Sequence, residues 1–222
     1  MLTIDTAVFN AYPGAKMGIL AMRSITPSAP LDPSVISDAM EEIRRRYGHL
    51  DRAGLKAMHP TWAYVEYYQK FGYSYHVLAQ LESVLKGKRT PGAGSGVLQA
   101  MFLSEVESML LTAGHDLHTL RLPLRLQTAA GDETYVSISG KEVTAVLGDL
   151  MVCDGSGVIS SILRGPDFGS RITGITADVL FTVYAPPGID ADSVKTAMQK
   201  LAGRIRSFSP LSETIHLSVY DK

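Results

Sequence analysis

The change in residue patterning between the two halves of the chain constrains the fold most. Up to about residue 112, apolar residues recur mainly at helical spacing, as in the stripe within residues 33–47. Beyond residue 122, short runs rich in β-branched and aromatic residues predict strands, interrupted by one helix over about 190–207. A helix-rich first half and a strand-rich second half indicate the α+β class. Without an internal repeat or a long linker, we expect residues 1–222 to form a single domain.

Capping and turn residues predict the boundaries of the elements. Asp32 followed by Pro33 suits the first turn of a helix, and Gly48 suits its end. Further helices are expected over residues 60–72, 77–87 and 97–112. Strands are expected over residues 4–9, 19–25, 122–127, 133–139, 142–146, 158–163, 179–184 and 214–220.

The charge balance limits the classes of partner. The chain has 21 basic and 22 acidic residues, a net charge of −1, whereas dedicated nucleic-acid binders usually carry a basic excess. We therefore expect no DNA partner. Any RNA contact would use a local basic patch, or would involve RNA held mainly by another protein. The glycine-rich loop with Lys86, Lys88 and Arg89 is more typical of a solvated connection between two helices, but it is the first candidate for any RNA contact.

The single cysteine and the first residues limit the chemistry and the compartment. Cys153 excludes an intrachain disulfide and a multi-cysteine zinc site. His115, Asp116 and His118 lie close in sequence, but no third metal ligand accompanies the histidines, so we expect no metal and no cofactor. No signal peptide and no apolar run of about 18 residues is evident, which predicts a soluble cytoplasmic protein with no membrane partner. The oligomeric state stays open.

The segment 154–176 carries the strongest functional signal. Two glycine turns, Asp167, Arg171 and the threonines Thr173 and Thr176 lie here between runs predicted to be buried strands. Loops held between rigid strands often carry binding and catalytic groups. The serines of this segment lie inside a strand and not on a nucleophile elbow, so we do not expect a serine nucleophile.

The order of motifs along the chain resembles the B3/B4 domain of the bacterial phenylalanyl-tRNA synthetase β subunit, and most closely the free-standing B3/B4-domain proteins. The segments that carry the resemblance are residues 13–25, 62–72, 114–118, 139–142, 150–154 and 157–167. In particular, Gly-His-Asp-Leu-His over 114–118 is similar to the Gly-Gln-Pro-Leu/Met-His of the synthetase. The resemblance implies a three-layer α+β domain, in which helices flank a β-sandwich of unusual topology.

The resemblance also implies an activity, because the synthetase domain hydrolyses mischarged tyrosyl-tRNA. Its pocket uses a glutamate and a histidine, and the matching positions here are Asp167 and His118, the implied catalytic residues. This chain departs from the family at Asp167, which is one methylene shorter, and at Pro166, which alters the turn. Both differences put tyrosine specificity in doubt. The chain also lacks aminoacylation motifs and an anticodon-binding domain, so it cannot charge tRNA by itself.

The chemistry of ester cleavage extends the expected site. A carboxylate can bind the ammonium group of the amino acid, and backbone N–H groups can stabilise the oxyanion. We expect substrate contacts from these residues of the segment: Gly157, Ser160, Gly165, Arg171, Thr173 and Thr176.

The leading hypothesis is a free-standing aminoacyl-tRNA deacylase acting in trans on tRNA held by this protein. Two alternatives stay open. The first is a non-catalytic module that binds tRNA or an amino acid. The second is a small-molecule hydrolase that uses the same pocket without RNA. The amino acid and the tRNA are not defined by the sequence.

Overall fold

The computed structural model describes residues 1–221 and confirms the α+β class, with helices and strands both present. Its helices are α1 (Thr6–Ala11), α2 (Pro33–Tyr47), α3 (Arg52–Ala57), α4 (Thr61–Lys70), α5 (His76–Leu85), α6 (Gly96–Ser108) and α7 (Ala191–Phe208). Its strands are β1 (Leu2–Ile4), β2 (Lys16–Arg23), β3 (Thr112–Asp116), β4 (Leu124–Thr128), β5 (Thr134–Val136), β6 (Glu142–Thr144), β7 (Leu150–Asp154), β8 (Gly157–Ser161), β9 (Gly165–Pro166), β10 (Val179–Ala185) and β11 (Glu213–Tyr220). Within the described residues, no helix combines the length and the apolar character needed to cross a membrane.

A four-stranded antiparallel sheet has the order β11-β2-β10-β3. All seven residues of β10 are buried, so this strand lies in the interior and not at the surface. In its register, Phe181 pairs with Leu20 of β2 on one side and with Gly114 of β3 on the other. This sheet therefore joins strands from the beginning, the middle and the end of the chain.

A five-stranded sheet has the order β1-β4-β7-β8-β9, and only the β1–β4 pair within it is parallel. Strands β5 and β6 form a separate two-stranded sheet. The chain after β5 continues beside β9, where Ser137 and Asp167 form an isolated bridge. The N–H of Ile138 donates to the carbonyl of Pro166 at 2.8 Å, and the N–H of Phe168 donates to the carbonyl of Val136 at 2.8 Å.

The two larger sheets contribute to one apolar core. Tyr184 on β10 donates a hydrogen bond to the carbonyl of Ser160 on β8 at 3.0 Å, and the two hydroxyls lie 2.6 Å apart. Leu126 and Val152 of one sheet belong to the same cluster of buried apolar side chains as Leu20 of the other. Strand β2 packs on α7, and α6 packs against α7, so helices cover the four-stranded sheet.

The structure corrects two expected elements and adds several that the sequence did not predict. Residues 4–9 do not form a strand: β1 ends at Ile4, and α1 begins at Thr6. Six alternating residues are too few to separate a strand from one helical turn by pattern alone. The helix expected to reach residue 112 ends at Ser108, because Met109 adopts the left-handed conformation with φ of 57° and residues from Thr112 pair with β10. The added elements are α1, α3, β3, β7 and β9.

Candidate functional site

A cleft of about 340 Å³ lies beside β8 and β9. Its walls come from the turn after β3, from β5, from the β7–β8 turn and from the chain that follows β9. Tyr135, Val158 and Ile159 give the cleft an apolar side, and Asp154, Asp167 and Ser170 give it a polar side. A concave site with one polar wall can hold a small ligand in a fixed orientation.

Asp167 is held firmly in this cleft. The N–H of Ser170 donates to Oδ2 at 2.9 Å, and the hydroxyl of Ser170 donates to Oδ1. The backbone N–H of Asp167 donates to the carbonyl of Ile159 on β8 at 2.8 Å. The side chain is 16% exposed. Because each carboxylate oxygen can accept two hydrogen bonds, the carboxylate keeps acceptor capacity for a ligand.

His115 lies directly behind Ser170. Its Nδ1 is 2.7 Å from the Ser170 hydroxyl oxygen and 3.9 Å from Oδ1 of Asp167, and its side chain is fully buried. Burial lowers the pKa of His115 to about 4, so the ring is neutral at pH 7. Since the Ser170 hydroxyl donates to Asp167, it accepts from the Nδ1–H of His115. Among residues 1–221, Nε2 of His115 has no hydrogen-bond partner.

His118 lies elsewhere. Its side chain is 75% exposed, and its Nε2 is 3.1 Å from Oδ2 of Asp178. It does not line the cleft, whereas the next residue, Thr119, does. The structure therefore places His115, and not His118, beside Asp167. One signal in the sequence could have identified His115. Side chains alternate between the two faces of a strand, so a strand that ends at Asp116 buries His115.

The two glycines expected to serve an oxyanion have different surroundings. Gly157, with φ of 140°, lines the cleft, and its N–H donates to Oδ1 of Asp154 at 3.2 Å. Asp154 also accepts from the N–H of Ser156 at 2.6 Å, so this carboxylate shapes the β7–β8 turn. The carbonyl of Gly165 accepts from the hydroxyl of Tyr135 at 2.8 Å. Burial raises the pKa of Tyr135 to about 12, so that hydroxyl remains a hydrogen-bond donor well into the alkaline range.

Four other expected substrate contacts lie outside the cleft walls. Ser160 is fully buried against Tyr184. The hydroxyl of Thr176 donates to Oδ2 of Asp116 at 2.7 Å and accepts from the N–H of Thr173 at 2.9 Å, which fastens this loop to the end of β3. Arg171 donates to the carbonyl of Phe168 at 2.6 Å. In this structure Arg171, Thr173 and Thr176 support the loop after β9, whereas Ser160 contacts β10.

The basic loop between α5 and α6 is also separate from the cleft. Lys86, Lys88 and Arg89 are exposed, and none of them lines the cleft. The guanidinium of Arg89 lies 5.3 Å from the ring centroid of Phe102. The loop remains accessible to a partner at another place on the surface.

A second groove, of about 330 Å³, runs along α6 and α7. Three of its charged groups bind one another: Lys200 Nζ lies 2.6 Å from Oε1 of Glu107, and Arg204 pairs with Oε2 of the same residue. In the described part of the chain, no cluster of three histidine, cysteine, aspartate or glutamate side chains forms a metal site. The Asp167 cleft, unlike this groove, is lined by residues of the segment 154–176 that the sequence singles out.

Comparison with solved structures identifies a protein of similar fold. An N-terminal fragment of the phenylalanyl-tRNA synthetase β subunit from Pyrococcus horikoshii matches with a TM-score of 0.52 and 11% sequence identity. The match covers 100% of this chain and 54% of that one, so the chain spans about half the length of the fragment. No family model matches the sequence. No curated protein matches it either. The chain thus has a fold similar to part of a phenylalanyl-tRNA synthetase β-subunit fragment.

Proposed function

We propose that this protein binds aminoacyl-tRNA and hydrolyses the aminoacyl ester in trans, with the Asp167 cleft as its active site. The observation that carries the proposal is the Asp167 carboxylate, held by Ser170 on the wall of a cleft of about 340 Å³. The similarity in fold to a tRNA synthetase fragment supports tRNA as the RNA partner. Tyr135 and Ile159 supply an apolar wall for the side chain of the amino acid.

The residues of the cleft have separate roles in this proposal. Water adds to the ester carbonyl carbon, the bond to the ribose oxygen breaks, and that oxygen takes a proton, which releases the amino acid and free tRNA. Asp167 accepts a hydrogen bond from the ammonium group or from the attacking water. Ser170 and His115 are positioning residues, because they contact Asp167 and each other. Neutral His115 keeps the direction of these hydrogen bonds fixed at pH 7.

The test is deacylation of a panel of correctly and incorrectly charged tRNAs. Asp167→Asn should lower kcat/KM for the hydrolysed substrate about 100-fold or more, as expected for loss of a group that acts on the reacting atoms. Ser170→Ala should give a smaller loss, mainly in kcat. Asp132→Asn, at an exposed aspartate outside the cleft, is the matched control. Wild-type rates in Asp167→Asn would reject the site, and a large loss in His118→Ala would return the histidine role to His118.

A second candidate function is a non-catalytic module that binds tRNA or an amino acid. Two contacts favour it: the N–H of Gly157 already donates to Asp154, and both oxygens of Asp167 already accept from Ser170. Binding of tRNA that weakens with salt, without any ester cleavage across the panel, would support this module. Cleavage of small aminoacyl esters without tRNA binding at low salt would instead support a small-molecule hydrolase.

A further inference from the structure

Two pairs of arginine and aromatic side chains flank β9. Arg164 directly precedes the strand, and its guanidinium carbon lies 5.5 Å from the ring centroid of Tyr73. Phe168 directly follows Asp167, and the guanidinium carbon of Arg171 lies 3.5 Å from its ring centroid. Both aromatic residues are at the surface, with 38% of Tyr73 and 39% of Phe168 exposed. Both rings are therefore accessible to a partner.

Backbone contacts hold both pairs in place. Nε of Arg164 donates to the carbonyl of Thr144 at 3.1 Å, and the backbone N–H of Arg164 donates to the hydroxyl of Ser161 at 3.1 Å. On the other side, the backbone N–H of Phe168 donates to Val136 and the guanidinium of Arg171 donates to the carbonyl of Phe168. A partner that uses these planar groups meets surfaces that are already oriented.

The charge of both arginines is available to a partner. Within residues 1–221, neither guanidinium forms a salt bridge. The chain as a whole has a net charge of −1, so an uncompensated arginine next to an exposed aromatic ring is a local feature and not a general excess of basic residues. Unpaired RNA bases stack on aromatic rings and on guanidinium planes, while the arginine charge attracts phosphate.

We propose that the Arg164–Tyr73 and Arg171–Phe168 pairs bind two unpaired nucleotides of an RNA strand whose end reaches the Asp167 cleft. The spacing supports one strand, because an extended chain places the Cα atoms of Arg164 and Phe168 at most about 14 Å apart. Asp167 lies between the two pairs along the chain, and Asp167, Gly169 and Ser170 line the cleft on either side of Phe168. The proposal rests on the proposed function for the identity of the RNA, but the binding needs no hydrolysis.

The basic loop provides a built-in comparison. Arg89 also stacks on a phenylalanine, Phe102, but it lies outside the cleft walls. If RNA entered by that loop, Arg89→Ala would weaken binding and the variants beside β9 would not. Arg89→Ala is therefore both the matched control and the test of the competing RNA contact.

The experiment measures binding of uncharged tRNA and of a fluorescent single-stranded RNA 12-mer by anisotropy at several salt concentrations. Phe168→Ala and Tyr73→Ala should each weaken binding about fivefold or more without a change in the salt slope. Arg164→Ala and Arg171→Ala should reduce the slope by about 1 where the guanidinium meets a phosphate. Phe168→Tyr retains an aromatic plane and should retain binding. Thermal unfolding of each variant identifies any that fail to fold.

Each outcome bears on the proposal separately from the deacylase function. RNA binding that is lost in Phe168→Ala and Tyr73→Ala, without any hydrolysis by the wild type, supports the RNA surface and rejects the deacylase. Hydrolysis with unchanged binding in all four variants overturns the RNA surface alone. Loss of binding only in Arg89→Ala, or a change of oligomeric state without a change of RNA affinity, also overturns it.

Discussion

Glu105 of α6 has its carboxyl group buried in the interior of the protein. Its Oε1 accepts a hydrogen bond from the N–H of Thr112 at 3.1 Å, and the residue is one of the buried residues of the helix. Burial raises the pKa of Glu105 to about 7. Two residues further on, burial alone would raise the pKa of Glu107, but hydrogen bonds and charge from Lys200 and Arg204 lower it overall. The same helix thus holds two glutamates of opposite behaviour.

These shifts predict opposite dependences of stability on pH. Because the folded pKa of Glu105 lies above the ordinary value of 4.5, the native state binds the proton more tightly, and this contribution to stability is lost as the pH rises towards 7. Glu105→Gln should remove this loss of stability at high pH. It should raise the free energy of unfolding at pH 8 by roughly 3 kcal/mol, with little change at pH 4. Urea unfolding at both pH values measures this.

Glu107→Gln is the matched control for that experiment. Its carboxylate stabilises the fold above the pKa of the unfolded state, so the variant should be less stable than the wild type at pH 8. An equal effect of Glu105→Gln at pH 4 and pH 8 would contradict the assigned ionisation.

His115 and His118 lie beside different aspartates, Asp167 and Asp178, which the sequence did not predict. The sequence singled out the segment 114–118, and similarity of motifs pointed to His118. In the structure β3 ends at Asp116, and a short 3-10 helix over Leu117–Thr119 carries His118 to the surface. The difference depends on where a strand stops: β3 pairs with β10 as far as Asp116, whose side chain then caps the 3-10 helix.

At the level of elements, α7 approaches β2 closely at Gly18. A Cβ atom added there would lie 2.6 Å from Cγ1 of Val194 and 3.0 Å from Sδ of Met198. Helix α7 follows β10 in the chain, and its contact with Gly18 sets the distance between the helix and the sheet. The lack of room for a side chain, and not a backbone conformation that requires glycine, therefore explains why residue 18 is a glycine.

Gly18→Ala should lower the free energy of unfolding by about 1–3 kcal/mol, because the added methyl group overpacks the contact between α7 and β2. Gly203→Ala is the control, since Gly203 lies exposed inside α7 with nothing within 4 Å of an added Cβ. It should stabilise the protein by about 0.5–1 kcal/mol through helix propensity. Denaturant unfolding of both variants measures the difference, and equal effects would show that the close approach does not matter.

The elements themselves were predictable where local signals were strong. The Asp32-Pro33 pair predicted the start of α2, and the structure confirms it: Asp32 accepts from the N–H of Ser34 and Pro33 is the first helical residue. Residues 4–9 carried only a weak alternation, and the strand prediction there was wrong because α1 begins at Thr6. Long periodic segments were therefore reliable, and short ones were not.

At the scale of the molecule, residues far apart in sequence form the central sheet. Strand β2, near the start, lies between β10 and the last strand, β11. The hydrogen bond from Tyr184 to Ser160 then joins this sheet to the other one. If the early and late parts of the chain separated, the edges of β2 and the apolar faces that it shares with the rest of the core would be exposed to solvent.

We propose that residues 1–222 unfold as one cooperative unit. Both larger sheets contribute to a single buried cluster, so neither part of the chain keeps a complete core without the other. Scanning calorimetry should show one transition, with equal calorimetric and van't Hoff enthalpies. Two resolved transitions, or a stable proteolytic fragment that retains only the helices α2–α6, would contradict the single unit.

The sequence by itself determined the α+β class and most helices and strands, and it predicted the segment around Asp167 as the functional one. These features depend on periodicity, capping and turn residues, which act between near neighbours along the chain. Only the tertiary structure brought His115 and Ser170 to Asp167 and set the two arginine–aromatic pairs beside β9. Those contacts depend on which strands pair and in what register, and long-range pairing is decided by the packing of the whole core.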